Sequence, residues 1–431
     1  MGNGSLLAGS HLPVCSASRR CRSGRIRPSG SIAASKSPSR PPLGPSGKPA
    51  SRPLAGHQGK PHLCGWCEGS YNQETVVIAV TSAVFLASAI IAAAWLARRN
   101  YLALPELPAS TPDSLPDHVV IIPARDEQAR INRAIRSFPV SDVVVVDDHS
   151  ADRTASLAAA AGAHVRHAAP LAAGWKGKSN ACWTGALYTE SDWILFVDAD
   201  TWYDHSFLPS MLDYAVREDL AAVTVFPRQH RLTFFEKMLL PYAFGLYFTG
   251  VDALAVNNHL KPDALANGQC LLVRRDAYEF VQGHRAVANS AVEDVALARL
   301  FKRHRMKIRV VRAESMAHAR MYGSFAAIWR GFEKNSFKFL KFNRRTRFIV
   351  AAASTLMTSW LPMLAWLIQK DQFIAASIFF FIPAAAWRAW YGSTVHALLA
   401  PFAIYLFQLI ALSAMVKDFF GLKTEWKGRQ V

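Results

Sequence analysis

The sequence predicts an α/β domain with a mostly parallel sheet, joined to transmembrane helices, one N-terminal and two to three C-terminal. Three observations carry that prediction. Between about residues 115 and 340, short β-branched runs alternate with helical stretches, acidic clusters close successive runs, and elsewhere four long segments carry no charge. Alternating strand and helix argues for parallel strands covered on both faces. Apolar segments of about 20 residues argue for membrane spans.

Residues 1–75 hold ten basic and two acidic residues and are rich in Ser, Pro, Gly and Arg. Such a composition buries too little apolar surface to fold. The stretch reads as a disordered basic tail, a targeting segment, or residues upstream of a mis-called start. Cys64-Gly-Trp-Cys67 has redox or metal-ligand spacing but stands as a lone pair. Cys15, Cys21, Cys182 and Cys270 form no disulfide framework, which suits a reducing compartment.

The first span is expected over residues 76–97, closed by Arg98 and Arg99. The α/β domain follows over 115–329. Its first strand is expected over 118–122, broken by Pro123, with Asp126 capping a helix to Phe138. A second strand over 142–146 ends in Asp147-Asp148-His149-Ser150, with a helix over 152–161 behind it. A third, over 193–197, ends in Asp198-Ala199-Asp200. Open α/β sheets bind ligands at the carboxyl ends of their strands, and carboxylates gathered there repel one another unless a cation or donors compensate them. A helix over 292–303 opens with Glu293 and Asp294, where acids also serve as ordinary helix N-terminal charges.

Residues 330–347 carry seven basic residues and one acid, Glu333, interleaved with Phe332, Phe337, Phe339, Leu340 and Phe342. Placed just before a span, this reads as a segment lying on an anionic membrane surface. RNA binding would use a similar composition, but the juxtamembrane position favours lipid, so no nucleic-acid partner is expected. The C-terminal membrane region covers 348–416 in charge-free segments 348–368, 372–387 and 389–416, the second short and the third interrupted by Pro401. A basic tail covers 417–431. Residues 234–251 are too apolar for a cytosolic surface and read as an interfacial cover over an acceptor site or as core. Basic residues flank the α/β domain on both sides, which makes that domain cytoplasmic and the protein integral to the membrane. Four true spans would put the basic C-terminus on the opposite side from that domain. The net charge of +18 thus describes a membrane address.

Two nucleotide motifs are missing. No Gly-x-Gly-x-x-Gly follows a strand, and Gly177-Lys178-Ser179 lacks the first glycine of a P-loop, Ala172 standing in its place. Without that cradle, diphosphate needs another counter-charge. Asp198 and Asp200 supply one by holding Mg²⁺ or Mn²⁺, hard cations that take carboxylate and diphosphate oxygens together.

Five ordered motifs carry a family resemblance. They are Val120-Ile121-Ile122-Pro123-Ala124-Arg125-Asp126-Glu127, Val146-Asp147-Asp148-His149-Ser150 with Ala151-Asp152-Arg153-Thr154 after it, Asp198-Ala199-Asp200, Gly268-Gln269-Cys270-Leu271-Leu272-Val273-Arg274-Arg275 and Val292-Glu293-Asp294-Val295. With Gly174-Trp175-Lys176-Gly177-Lys178 among them, the chain resembles family 2 glycosyltransferases over about 220 residues. The resemblance implies a GT-A fold, a nucleotide-sugar donor and inversion at the anomeric carbon. The Gly-Trp-x-Gly-Lys element with C-terminal spans is similar to membrane enzymes that glycosylate carotenoid or hopanoid lipids, so the implied acceptor is a membrane lipid.

By that resemblance Pro123, Ala124 and Glu127 line the nucleoside pocket, and Asp147 or Asp148 accepts from base and ribose. Lys178 lies near the donor, Asp198 contacts ribose or a water-bridged metal, Asp200 binds the metal, and Asp294 is the general base. An inverting displacement needs one carboxylate to take the acceptor proton, which suits that last role. Glu293, Arg320 and His318 are further candidates: Arg320 as a partner of diphosphate or a basic interfacial residue, His318 as a third metal ligand or a structural histidine. The Gln-x-x-Arg-Trp motif of processive synthases is absent. Its region reads His318-Ala319-Arg320-Met321-Tyr322, which favours transfer of one sugar. The rival readings are a processive polysaccharide synthase and a catalytically inactive membrane scaffold. A soluble glycosidase would use paired carboxylates too but leaves the membrane attachment unexplained.

Overall fold

The computed structural model describes residues 66–290, 292–340, 344–422, 425–426 and 429–430. Most of the expected basic tail and Cys64 lie outside the described residues. The side chains of 335–347 and 423–431, with most of the basic charge expected beside the membrane, also lie outside them.

Helix α1 (Trp66–Leu102) leads into β1 (His118–Ala124), α2 (Ile131–Ile135), β2 (Val143–Asp147), α3 (Thr154–Ala160), β3 (His164–His167), α4 (Gly177–Leu187), β4 (Trp193–Val197) and β5 (Thr201–Tyr203). Next come α5 (Phe207–Arg217), β6 (Ala222–Phe226), β7 (Arg228–Gln229), α6 (Phe234–Thr249), α7 (Ala253–Asn257) and β8 (Cys270–Arg274). They are followed by α8 (Arg275–Phe280), α9 (Gly283–Ala286), α10 (Glu293–Arg303), β9 (Ile308–Arg312) and β10 (Ala317–Ala319). Helices α11 (Phe325–Leu340), α12 (Arg344–Thr358), α13 (Trp360–Gln369), α14 (Phe373–Phe380), α15 (Ile382–Tyr391), α16 (Thr394–Ala397) and α17 (Ala400–Phe419) follow, and the short strands β11 (Glu425–Trp426) and β12 (Arg429–Gln430) come last.

The main sheet has the order β3-β2-β1-β4-β8-β6-β9. Only β8 runs against its neighbours, pairing antiparallel with β4 and β6, so the expected mostly parallel sheet is present. Successive apolar residues face opposite sides, and both sides are covered. Val120, Ile122, Val143 and Leu195 pack with α2, α3 and α5. Val119, Ile121, Val144 and Ile194 pack with α4, α8 and α10. Runs without polar alternation are what such doubly covered strands require, and burying each side chain contributes about 1.5–3 kcal/mol. Strands β5, β10 and β7 form a small second sheet.

Two local expectations need correction. Asp126 does not cap a helix to Phe138: it sits at φ +51°, and helix α2 covers only Ile131–Ile135. The Asp126 carboxylate instead accepts from the Ala151 N–H at 2.8 Å, while its own N–H donates to Ser150 Oγ at 3.0 Å. These bonds clasp the loops after β1 and β2 together. An Asp near a helix start favours capping only when no better donor lies across the sheet edge.

Four stretches are long and apolar enough to cross a membrane: Gln73–Leu102, Ala351–Gln369, Phe373–Tyr391 and Ala400–Lys417. One is N-terminal and three are C-terminal, as the sequence predicts. The short third segment gains length because α14 and α15 join end to end at Phe381, with Pro383 in the first turn of α15. The long fourth one is cut at Gly392 (φ +69°), and Pro401 opens α17, where a missing N–H costs no helical bond. Of residues 234–251, Phe234–Thr249 form α6, which packs on α1, α15 and α17 within one apolar cluster. Gly245 makes the closest approach: a Cβ there would meet the Trp387 ring at 2.3 Å.

Candidate active site

The site forms where the strand ends, the start of α4 and the start of α10 meet. Lys178 is the second residue of α4, a place where the helix dipole disfavours a cation. Three acceptors hold it there. Its Nζ lies 2.7 Å from Asp198 Oδ1 and 3.5 Å from Glu293 Oε1, and donates to the Gly268 carbonyl at 2.8 Å. Burial alone would depress this ammonium, but the Asp198 and Glu293 carboxylates outweigh it and hold Lys178 well above the usual lysine range.

Gly268 joins the two halves of the cluster. Its carbonyl accepts a hydrogen bond from Lys178 Nζ and its N–H donates to Asp294 Oδ2 at 2.5 Å. A Cβ at this position would lie 2.9 Å from Lys178 Nζ and 3.0 Å from Asp294 Oδ2, so only glycine lets both side chains close on the backbone. Burial and the neighbouring Glu293 push the Asp294 carboxyl up to about 6, against opposing bonds from Val295 and Gly268. A carboxylate so poised can accept a proton near neutral pH.

Asp200 lies one strand end away. Burial, with the charges of Asp198 and Glu127, pushes it up to about 7. Its Oδ1 is buried with no hydrogen-bond partner among the described residues. An orphaned buried carboxylate oxygen beside a second carboxylate fits a cation. Among the described residues, no group of three His, Cys, Asp or Glu side chains could hold a metal. The protein thus offers two carboxylates, a set that suits Mg²⁺ or Mn²⁺ sharing its remaining positions with diphosphate and water.

The nucleoside-side candidates occupy the adjoining strands. Pro123 and Ala124 end β1 in register with Val146 and Asp147 of β2. Glu127 is buried, its carboxylate 3.0 Å from Arg130 and its N–H donating to Thr154 Oγ1 at 2.7 Å. Asp147 Oδ2 accepts from Ser150 N–H at 3.2 Å and faces His167 Nδ1 at 3.4 Å, leaving Oδ1 buried and unpartnered among the described residues. Asp148 is 5% exposed, and its N–H donates to the Ala124 carbonyl. This part of the edge is stiffened by the clasped loops.

Two further candidates, His318 and Arg320, lie on and just after β10. His318 forms no three-residue metal group with Asp198 and Asp200 among the described residues: on β10 its ring faces His230 Nε2 at 3.4 Å and Asp204 Oδ1 at 3.5 Å, stacked on Trp202. Arg320 approaches Asp200 through its main chain, N–H to carbonyl at 3.1 Å, while its Nε donates to Glu236 Oε1 at 3.1 Å. Glu236 and the bridging role of Gly268 were not legible beforehand. A Glu three residues after Thr233 announces a helix cap, which conceals a second partner.

A mostly parallel sheet with one reversed strand, and carboxylates and a lysine at its carboxyl edge, make a GT-A-like α/β domain. Residues 119–281 match the family model described as Glycosyl transferase family 2. A 4,4'-diaponeurosporenoate glycosyltransferase of Staphylococcus haemolyticus (strain JCSC1435) is 29% identical over 226 residues, covering 50% of this chain and 60% of the relative. The protein of the same description from Staphylococcus aureus (strain MRSA252) is 27% identical over 225 residues with the same coverage. This chain thus spans 60% of the length of the curated relatives it matches. Among solved structures, a mannosyltransferase from Pyrobaculum calidifontis in complex with GDP-Man and Mn²⁺ is similar over 80% of this chain and 99% of its own, with 18% identity and a TM-score of 0.46.

Proposed function

We propose that this protein is a membrane-bound, metal-dependent, inverting glycosyltransferase that moves one sugar from a nucleotide-sugar donor to a hydroxyl of a membrane lipid of carotenoid, hopanoid or other isoprenoid type. The observation that carries the reading is the convergence of Lys178, Asp198, Gly268 and Asp294 at one strand edge, in a chain whose α6 packs among apolar helices. The relatives named for a carotenoid acid support the acceptor class.

The roles in this reading are those the resemblance implies, and the convergence at the strand edge supports them. Pro123, Ala124, Glu127, Asp147 and Asp148 receive the nucleoside, and Asp198 and Asp200 hold Mg²⁺ or Mn²⁺. The cation, when bound, neutralises charge on the diphosphate. Lys178 adds a positive charge beside the leaving group, and Arg320 offers a guanidinium to the same diphosphate. The acceptor oxygen forms its bond to the anomeric carbon as the bond to diphosphate breaks. The departing nucleoside diphosphate keeps that electron pair, and Asp294 Oδ takes the hydroxyl proton. Attack from the face opposite the leaving group inverts the anomeric centre.

The catalytic domain faces the cytoplasm in this reading, because Arg98 and Arg99 and the basic 330–347 segment both adjoin it. Asp200→Ala tests the metal role. Titration of Mn²⁺ with a labelled nucleotide sugar should show metal-dependent binding in the parent and none in the variant, whereas equal metal-independent binding in both would count against it.

A further inference from the structure

Glu236 lies outside the acidic cluster, is fully buried, and makes two sets of contacts. Its Oε2 accepts from the Leu232 and Thr233 N–H groups at 2.9 and 2.6 Å, and Thr233 Oγ1 accepts from the Glu236 N–H at 3.3 Å. That is a complete capping box at the start of α6. Capping needs only one carboxylate oxygen. The other, Oε1, receives Arg320 Nε at 3.1 Å, an ion pair that helix capping does not require.

Arg320 stands one residue beyond β10. Its N–H donates to the Asp200 carbonyl, and the preceding Ala319 pairs with Thr201. The backbone of Arg320 is therefore tied to the metal-binding strand end. Its Nη1 and Nη2 make no hydrogen bond to any described residue. A guanidinium held by Nε alone presents its two outer nitrogens as a fork, the geometry that matches two phosphate oxygens. Beyond Glu236, α6 continues as Met238, Leu239, Leu240 and Tyr242, buried among the apolar helices, and the Met238 carbonyl accepts from Tyr391 of α15.

We propose that Glu236 is a positioning residue for donor binding: from the first turn of α6 it clamps Arg320 Nε, so that the outer guanidinium nitrogens are preset for the donor diphosphate beside Asp200. The clamp also fixes a helix of the apolar bundle to the donor site. The inference rests on the role of Arg320 proposed above and goes beyond it by giving that side chain its orientation.

A double-mutant cycle tests it in the full-length protein in detergent or bilayer discs. The affinity of a nucleoside diphosphate, with Mn²⁺ present, is measured for the parent, Glu236→Gln, Arg320→Gln and the double variant. Gln keeps the volume and can still serve a capping box, but loses the charge that grips Nε. The expected result is roughly a tenfold weaker affinity in Glu236→Gln and no further loss when it is added to Arg320→Gln. Thr233→Ala supplies the control for capping: it should lower thermal stability and leave nucleotide affinity unchanged. An additive loss in the double variant, or an equal loss in Thr233→Ala, would overturn the clamp and leave Glu236 as a helix cap. If Glu236→Gln does not fold, Arg320→Lys gives a second measurement, because lysine has no Nε–H to clamp and no fork. Affinity equal to the parent would overturn the proposal. Should Arg320→Gln bind like the parent, the role of Arg320 in donor binding fails first, which separates that failure from a failure of the clamp alone.

Discussion

Buried carboxylates occur in two regions of this molecule, and the regions treat them in opposite ways. In the helical region Glu236 and Glu333 are each 1% exposed or less. Burial would raise them, but donors from Thr233, Arg320 and Leu232 hold Glu236 below the usual carboxylate range. Lys417 at 2.7 Å and Ser413 at 2.6 Å do the same for Glu333. At the sheet edge the order reverses. Burial and mutual repulsion push Asp294 to about 6 and Asp200 to about 7, although Lys178 stands among them. Carboxylates that fasten elements together have their charges matched, whereas those at the site are left short of donors, a shortage that a proton or a cation can fill.

The sharpest way to break this contrast is Asp294→Asn. Transfer should fall by about 10²–10⁴-fold, the usual worth of a general base, while donor binding is kept. Turnover unchanged in steady-state assays would remove Asp294 from the mechanism. Gly268→Ala comes next. The new Cβ pushes the flexible Lys178 ammonium off Asp198 and crowds Asp294, at small steric cost to the fold. Turnover should drop by roughly 10²-fold with little change in melting temperature, the cost expected of a misplacement near 1 Å. A large fall in stability with normal turnover would make the glycine structural.

The pH profile offers a milder perturbation. As the proposed base Asp294 would have to be ionised, and its carboxyl is raised to about 6. Turnover should therefore be full above that pH and fall about tenfold per unit below it, measured as kcat at saturating donor. In Asp294→Asn the limb should vanish. The smallest catalytic effect belongs to the helical region. Gly245→Ala would drive a Cβ into the Trp387 ring at 2.3 Å and should cost about 1–3 kcal/mol of stability by overpacking. Nucleotide affinity should stay near the parent value, and a selective loss of it would show that α6 transmits strain to the site.

Much of the site can be read from the sequence because strand ends concentrate it. Asp198 and Asp200 follow a run of five buried residues, and Lys178 follows two glycine-flanked positions, so local pattern alone singles them out. Gly268 and Glu236 are different. The first matters because two side chains from other elements close on it, and the second because an arginine 84 residues away reaches it. Neither fact has a local signature. His318 is similar, since the partners of its ring, His230 and Asp204, come from other parts of the chain.

The sequence by itself determined the alternating α/β domain, its mostly parallel sheet, the apolar stretches on either side and the acidic strand ends. All of these depend on periodicity, composition and short-range polarity. Only the tertiary structure decided that β8 runs backwards, that residues 234–249 join the apolar helices and not the sheet, and that Gly268 and Glu236 take up their places. Those outcomes are set by contacts between residues far apart in the chain, where close packing and charge pairing select one arrangement among several that local pattern allows equally.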